Sequence, residues 1–223
     1  MPSSGSASLG RMSHLTRRAT TTPAAEAGRT ARRPLRRRAF AALLATTALV
    51  PAGVASAAVI NGNDERNSLR GTNGADAIDG RGKDDSIAGL GGADRIVGGK
   101  GEDVVRAGSG NDNVHGNDGK DRISGDAGKD RVRGGDGRDR VNGGAGRDNL
   151  SGGDGDDNVL GGSGGDRLKG NPGADRLAGG AGNDVIDAGD GARDRISCGP
   201  GRNRVEADRV DVVSRDCERR TAA

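Results

Sequence analysis

A single aliphatic residue returns every nine positions through most of this 223-residue chain. It is Leu69, Ile78, Ile87, Ile96, Val105, Val114, Ile123, Val132, Val141, Leu150, Val159, Leu168, Leu177, Ile186, Ile196 and Val205, all in phase once one residue inserted after Ala188 is allowed for. Its flanks are mostly polar, as in Arg140-Val141-Asn142, so each predicts a minimal strand with one inward side chain. Glycine-rich runs such as Gly134-Gly135-Asp136-Gly137 precede the strands, and glycine lets a backbone turn through positive φ. Strand and turn alternating on this period predict an all-β fold, a solenoid of parallel strands with two copies per coil. Sixteen copies from Gly62 to Glu206 then stack as about eight coils, roughly 4.8 Å apart.

Polar positions keep the same frame. With the first glycine as position 1, position 6 holds Asp76, Asp85, Asp94, Asp103, Asp112, Asp121, Asp130, Asp139, Asp148, Asp157, Asp166, Asp175, Asp184 and Asp194, with Asn67 at the front and Asn203 at the back. Only the end copies lose the carboxylate, as capping repeats of a solenoid do. Alternate copies share an edge, so the aspartates form two columns, Asp76 to Asp184 and Asp85 to Asp194. Carboxylates stacked at the coil spacing repel one another. One aliphatic per nine residues also buries too little apolar surface to offset the entropy of ordering a glycine-rich chain.

A hard divalent cation answers both problems, because it neutralises the columns and draws on the carbonyl oxygens of the turns. Calcium suits the donor set, accepting six to eight oxygens in flexible geometry, whereas magnesium holds to an octahedron and keeps its waters. Zinc is disfavoured for want of His and Cys ligands. Asp118, Asp136, Asp154 and Asp190 at position 3 are candidate additional ligands.

The run resembles the repeats-in-toxin, or haemolysin-type, calcium-binding nonapeptide GGxGxDxUx, seen here as GGDGRDRVN, GGAGRDNLS and GGDGDDNVL from Gly134 onward. The resemblance implies a right-handed parallel β-roll with ions between successive turns, held by the fourteen position-6 aspartates and by carbonyls of the glycine turn. Glu65 and Lys83 replace the position-4 glycine, and Ala107, Ala188 and Cys198 replace the first. Those turns are expected to bind weakly, which leaves 89–187 as the strongest block. The resemblance implies that such repeats usually trail an effector domain; here a leader is expected in front of them instead, with no effector domain expected.

Position 7 is Arg at 95, 122, 131, 140, 167, 176, 195 and 204. These side chains are expected to point outward and to compensate the acidic edges, a charge run being usually a solvated face. The sharper reading is an Arg stripe for an anionic cell-wall or surface polymer.

Charge changes meaning once the chain is divided. The formal net charge is +3, but nine of the 35 Lys and Arg and one of the 32 Asp and Glu lie in 1–57, leaving 26 bases against 31 acids. Residues 1–57 read as a signal peptide: Arg32, Arg33, Arg36, Arg37 and Arg38, an apolar run over 39–50, Pro51, then Ala55-Ser56-Ala57 with cleavage after Ala57. The apolar run is short for a membrane span. The expected organisation is leader (1–57), N-terminal cap with a degenerate first repeat (58–70), calcium-binding β-roll (71–206), and C-terminal cap and tail (207–223).

In an exported chain the two cysteines, Cys198 and Cys217, read as a disulfide pinning the last coil. No catalytic residues are expected. His115 is the one histidine outside the leader, Ser86, Ser124 and Ser151 have no base beside them, and no HExxH is present. Phe40 is the sole aromatic and lies in the leader, so bases would find no stacking platform and nucleic acid is not an expected partner. No membrane contact is expected after leader removal. The sequence therefore predicts a secreted protein that binds several Ca2+ and folds on binding, a surface or matrix module. A repeat-toxin-like hydrolase or cytolysin accessory is the disfavoured alternative.

Overall fold

The structure, a computed structural model, describes residues 56–217 and 219–221. The expected signal peptide lies outside the described residues apart from its last two. The elements, in chain order, are β1 (Val59–Asn61), β2 (Ser68–Arg70), β3 (Ala77–Gly82), β4 (Ser86–Gly91), β5 (Arg95–Lys100), β6 (Val104–Ser109), β7 (Asn113–Asp118), β8 (Arg122–Ala127), β9 (Arg131–Asp136) and β10 (Arg140–Ala145). They continue as β11 (Asn149–Asp154), β12 (Asn158–Ser163), β13 (Arg167–Lys169), β14 (Arg176–Ala181), β15 (Val185–Ala188), β16 (Arg195–Ser197), β17 (Arg204–Ala207), β18 (Val212–Val213) and β19 (Arg219–Thr221).

Odd strands form one ten-stranded sheet and even strands one nine-stranded sheet, each in simple chain order. All pairings are parallel, and Val141 of β10 sits beside Ile123 of β8 and Val159 of β12. From β1 to β15 each strand pairs with the copy eighteen residues away, so two nonapeptides close one coil, as the sequence predicts; the spacing is nineteen across the inserted residue. The solenoid has about nine turns. Three strands lie beyond the sixteen recognised copies: β1, β18 and β19. Ile60 of β1 pairs with Ile78, and Val213 of β18 with Ile196, so both expected caps continue the coil and place aliphatics in register with the core.

The strands also exceed expectation. A typical one runs six residues with two inward positions, the aliphatic at position 8 and position 1 of the next copy. Ala107, Ala188, Cys198 and Ala207 occupy position 1 and are at most 2% exposed, alongside the aliphatic column from Ile78 to Val205. Glycine fills the slot elsewhere because little room exists there. A Cβ on Gly143 would lie 2.5 Å from Oδ2 of Asp148 and 2.6 Å from the carbonyl oxygen of Gly161. Gly146, at position 4, serves differently: its φ of 138° closes the turn in a conformation L side chains rarely adopt. Cys198 and Cys217 form the expected disulfide, joining the end of the coil to the last turn.

Candidate metal centre

Strand alternation decides where the aspartates go. Asp139, Val141 and Gly143 are buried while Arg140 and Asn142 are exposed, because side chains two residues apart share a face. All fourteen position-6 aspartates are accordingly 0–4% exposed. They line the interior where the chain turns between sheets, not outer acidic edges.

Each carboxylate does one job in common. Oδ1 accepts the backbone N–H of the equivalent residue one coil earlier: Asp121 to Asp139 at 2.8 Å, Asp139 to Asp157 at 2.8 Å, Asp130 to Asp148 at 2.9 Å. Two continuous ladders result. One runs from Ala58 through Asp76 to Asp184 and ends on Asn203; the other runs from Asn67 through Asp85 to Asp194 and ends on Asp211. The two predicted columns are therefore hydrogen-bonded stacks. At the C-terminal end the neutral amide of Asn203 supplies the same acceptor for Asp184, whereas Oδ1 of Asn67 accepts the N–H of Asn63 within its own turn.

The second oxygen is different. Oδ2 of Asp85, Asp94, Asp103, Asp112, Asp121, Asp130, Asp139, Asp148, Asp157, Asp166, Asp175, Asp184 and Asp194 is buried without a hydrogen-bond partner. Asp76 alone of the fourteen has both oxygens engaged, since the N–H of Thr72 donates to Oδ2 at 2.6 Å. Buried polar atoms are normally satisfied, and a column of anionic oxygens with free lone pairs is a cation-binding donor set. Burial away from water pushes the carboxyls of Asp121, Asp130 and Asp157 up to about 7, with the neighbouring carboxylates of each column adding to the shift. Asp94, Asp103, Asp166, Asp175 and Asp194 rise to about 6 for the same first cause. Desolvation also raises Asp85, Asp112, Asp139, Asp148 and Asp184.

Position 7 departs from the sequence reading in part. Among the described residues the ion pairs are Arg66 with Asp84, Lys83 with Glu65, Arg138 with Asp156 and Lys169 with Asp187. None uses a position-7 arginine; these side chains point outward as expected, and Arg176 helps hold the Asp156 carboxyl low after the N–H of Ala174 and the Arg138 guanidinium. The reason is again parity: the arginine points out where the aspartate points in, and stacking sets Arg122 beside Arg140.

The position-3 aspartates divide. Asp118, Asp136 and Asp154 are exposed and stack on one another along the odd sheet. Asp190 joins Asp175 and Asp194 in a trio whose carboxylate oxygens lie within 4.8 Å of one another, the only such trio of potential ligands among the described residues. The Asp190 carboxylate is held there by the N–H groups of Gly173 at 3.1 Å and Ala192 at 2.7 Å, which donate to its two oxygens.

Asp211 was not among the sequence candidates. It is 8% exposed, and its two oxygens accept from the N–H groups of Asp194 and Asp208. Asp211-Val212-Val213 repeats the position 6-7-8 signature, but no glycine turn precedes it.

The structure thus brings in-phase carboxylates together on a regular coil. Eight overlapping segments between residues 53 and 205 match the RTX calcium-binding nonapeptide repeat. The chain belongs to that family. The first matched segment starts at Gly53 and so takes in β1, in accord with Ile60 stacking on Ile78. No curated protein matches the chain. In this RTX chain the donor set is of oxygen alone, which fits the hard cation that names the repeat.

Proposed function

We propose that this RTX chain is an extracellular module that coils only when calcium fills its turns, and that it works by binding and scaffolding, not by catalysis. One observation carries the reading: thirteen buried carboxylates each keep an oxygen unpartnered. At neutral pH the charged form of these groups opposes folding, and a bound divalent cation reverses the sign of that contribution. The ligands proposed are the carboxylates from Asp85 to Asp194 with turn carbonyls, and Asp190 beside Asp175 and Asp194. Asp76 is the weakest of the fourteen because Thr72 already occupies its second oxygen. Ala107 and Ala188 place a methyl group where Gly143 leaves room beside the carboxylate, so their turns are weaker sites.

Export is part of the same reading. Cytosolic calcium is too low for sites of the affinity common in extracellular modules, about 10⁻⁴ to 10⁻³ M, so folding would follow passage out of the cell. The disulfide between Cys198 and Cys217 accords with an oxidising compartment. His115 is half-buried, desolvation and then the nearby Arg133 and Arg95 lower its pKa, and it is read as a structural and not a catalytic group.

Circular dichroism during a calcium titration at pH 7.5 tests the proposal. The expected result is coil at micromolar calcium, β signal at millimolar calcium and little effect of magnesium. A chain that keeps its β signal and protease resistance in excess chelator would overturn it.

A further inference from the structure

Stacking by eighteen residues creates on the outer face of the odd sheet a pattern that the linear repeat hides. Position 7 reads Arg95, Asn113, Arg131, Asn149, Arg167 on successive coils. Position 9 reads His115, Arg133, Ser151, Lys169 on the last four of those coils. Coils bearing two cations, Arg131 with Arg133 and Arg167 with Lys169, therefore alternate with coils bearing neutral hydrogen-bonding groups, Asn113 with His115 and Asn149 with Ser151. The strip ends where carboxylates enter position 9, at Asp79 and Asp187.

A hollow of about 390 Å³ opens on this face, lined by Asn113, His115, Arg131, Arg133, Ser151 and Lys169 among others. A second hollow of about 230 Å³ adjoins it across Arg131 and carries Lys129 and Arg147. Among the described residues Arg131, Arg133, Arg147 and Arg167 form no ion pair, and Lys169 meets only the exposed Asp187 at 3.7 Å. Like charges held side by side in fixed register, with donors aimed at solvent, form a receptor for anions.

The spacing narrows the ligand. Cationic coils recur at about 9.6 Å, twice the strand separation, whereas a single nucleic-acid strand presents a charge about every 3.4 Å. No aromatic residue lies outside the first 57 to stack on bases. The geometry points to a linear acidic polysaccharide in which a carboxylated sugar alternates with a neutral one, lying along the solenoid axis on the outer face of the odd sheet. Carboxylates would meet the arginine coils in forked pairs. Hydroxyl and amide groups of the neutral sugar would meet Asn113, Asn149 and Ser151. The even sheet lacks this match: Arg122 and Arg140 are direct neighbours, and its position-9 row includes Leu160 and Ala178.

The inference rests on the coil being folded, and so on the calcium reading, and its test separates the two. Labelled hyaluronan oligosaccharide, whose carboxylates recur once per disaccharide, is titrated into the full chain in millimolar calcium and followed by fluorescence anisotropy. Arg131→Gln/Arg133→Gln is compared with the opposite-sheet control Arg122→Gln/Arg140→Gln, which makes the same change of charge. The basic segment 1–57 is common to all, so the comparison among variants is the readout. The expected result is a loss of tenfold or more for the first variant, less than twofold for the control, and a shallower salt dependence for the first. Circular dichroism and protease resistance at the same calcium concentration should be unchanged in both. Absence of binding by the folded chain, equal loss in both variants, or a larger loss of single-stranded DNA binding than of oligosaccharide binding in the first variant would each overturn the assignment, while leaving calcium-driven folding intact.

Discussion

Oδ1 of Asp139 accepts the backbone N–H of Asp121 at 2.8 Å, and Oδ2 of the same carboxylate has no partner. One side chain thus joins two coils through a bond that any oxygen acceptor could make, while the other half of the group is left for a cation. The first half explains how an aspartate fits in the interior at all, and the second is the half that the proposed calcium sites would use.

The two halves separate by mutation. Asp139→Asn keeps an acceptor, as Asn203 does for Asp184 at 2.8 Å, but removes a buried charge. In chelator at neutral pH this variant should be more stable than the parent, and in calcium it should gain less from the ion. Asp139→Ala leaves the N–H of Asp121 buried without an acceptor, at a cost of about 1–3 kcal/mol in either condition. Urea unfolding in chelator and in millimolar calcium reads both effects. Equal behaviour of the two variants would remove the acceptor role.

Much of this arrangement was legible in the sequence. The period fixes the coil and the two columns, and it picks out the interior aliphatics from Ile78 to Val205. Parity also marks Asp139, Val141 and Gly143 as one face. A carboxylate is nonetheless ordinarily a surface group, and only the ladder of backbone donors makes the inward choice tolerable. The end copies were hidden for a different reason. Ala58 and Asp211 extend the ladders without a glycine turn ahead of Asp211 or an acid at position 58. A terminal coil has one neighbour only and needs less of the motif. The alternation on the odd sheet has a period of two coils, so no single nonapeptide displays it.

Gly143→Ala tests the tight first position. The added methyl group would crowd Oδ2 of Asp148 and the Gly161 carbonyl, and overpacking of this kind costs about 1–3 kcal/mol. Gly165 at position 5 lies where neighbouring copies carry Arg147 and Asn183, so Gly165→Ala should change stability by less than about 1 kcal/mol. Calcium midpoints from circular dichroism should shift upward for the first variant and stay put for the second.

Opening the disulfide should loosen one end without dissolving the middle. Contacts in a solenoid are between neighbouring coils, so stability is nearly a sum of local terms. Cys198→Ser/Cys217→Ser removes a closure over a loop of 19 residues, expected to contribute about 3 kcal/mol. Hydrogen exchange in calcium should quicken over β16 to β18 while β8 to β12 keep their protection. Uniform loss of protection along the whole coil would show that the end bond governs folding globally.

Protons should stand in for calcium. Without metal, burial raises the carboxyls of Asp121, Asp130 and Asp157 to about 7 and those of Asp94, Asp103, Asp166, Asp175 and Asp194 to about 6. In the unfolded chain they titrate near the ordinary aspartate value of about 3.9. Between those limits the folded state holds more protons than the unfolded one, so stability falls as pH rises through that interval. Below about pH 4 both states are neutral and the penalty vanishes; above about pH 7 it is present in full. In chelator, acidification from pH 7.5 toward pH 4.5 should therefore bring in β signal, with its midpoint between about 5 and 7, and calcium should add little at the acid end. In millimolar calcium the profile should reverse at its neutral end, because the ion binds the deprotonated form and holds the coil at pH 7.5. A metal-free chain whose circular dichroism does not change across this range would place the columns in water, contrary to the buried ladder.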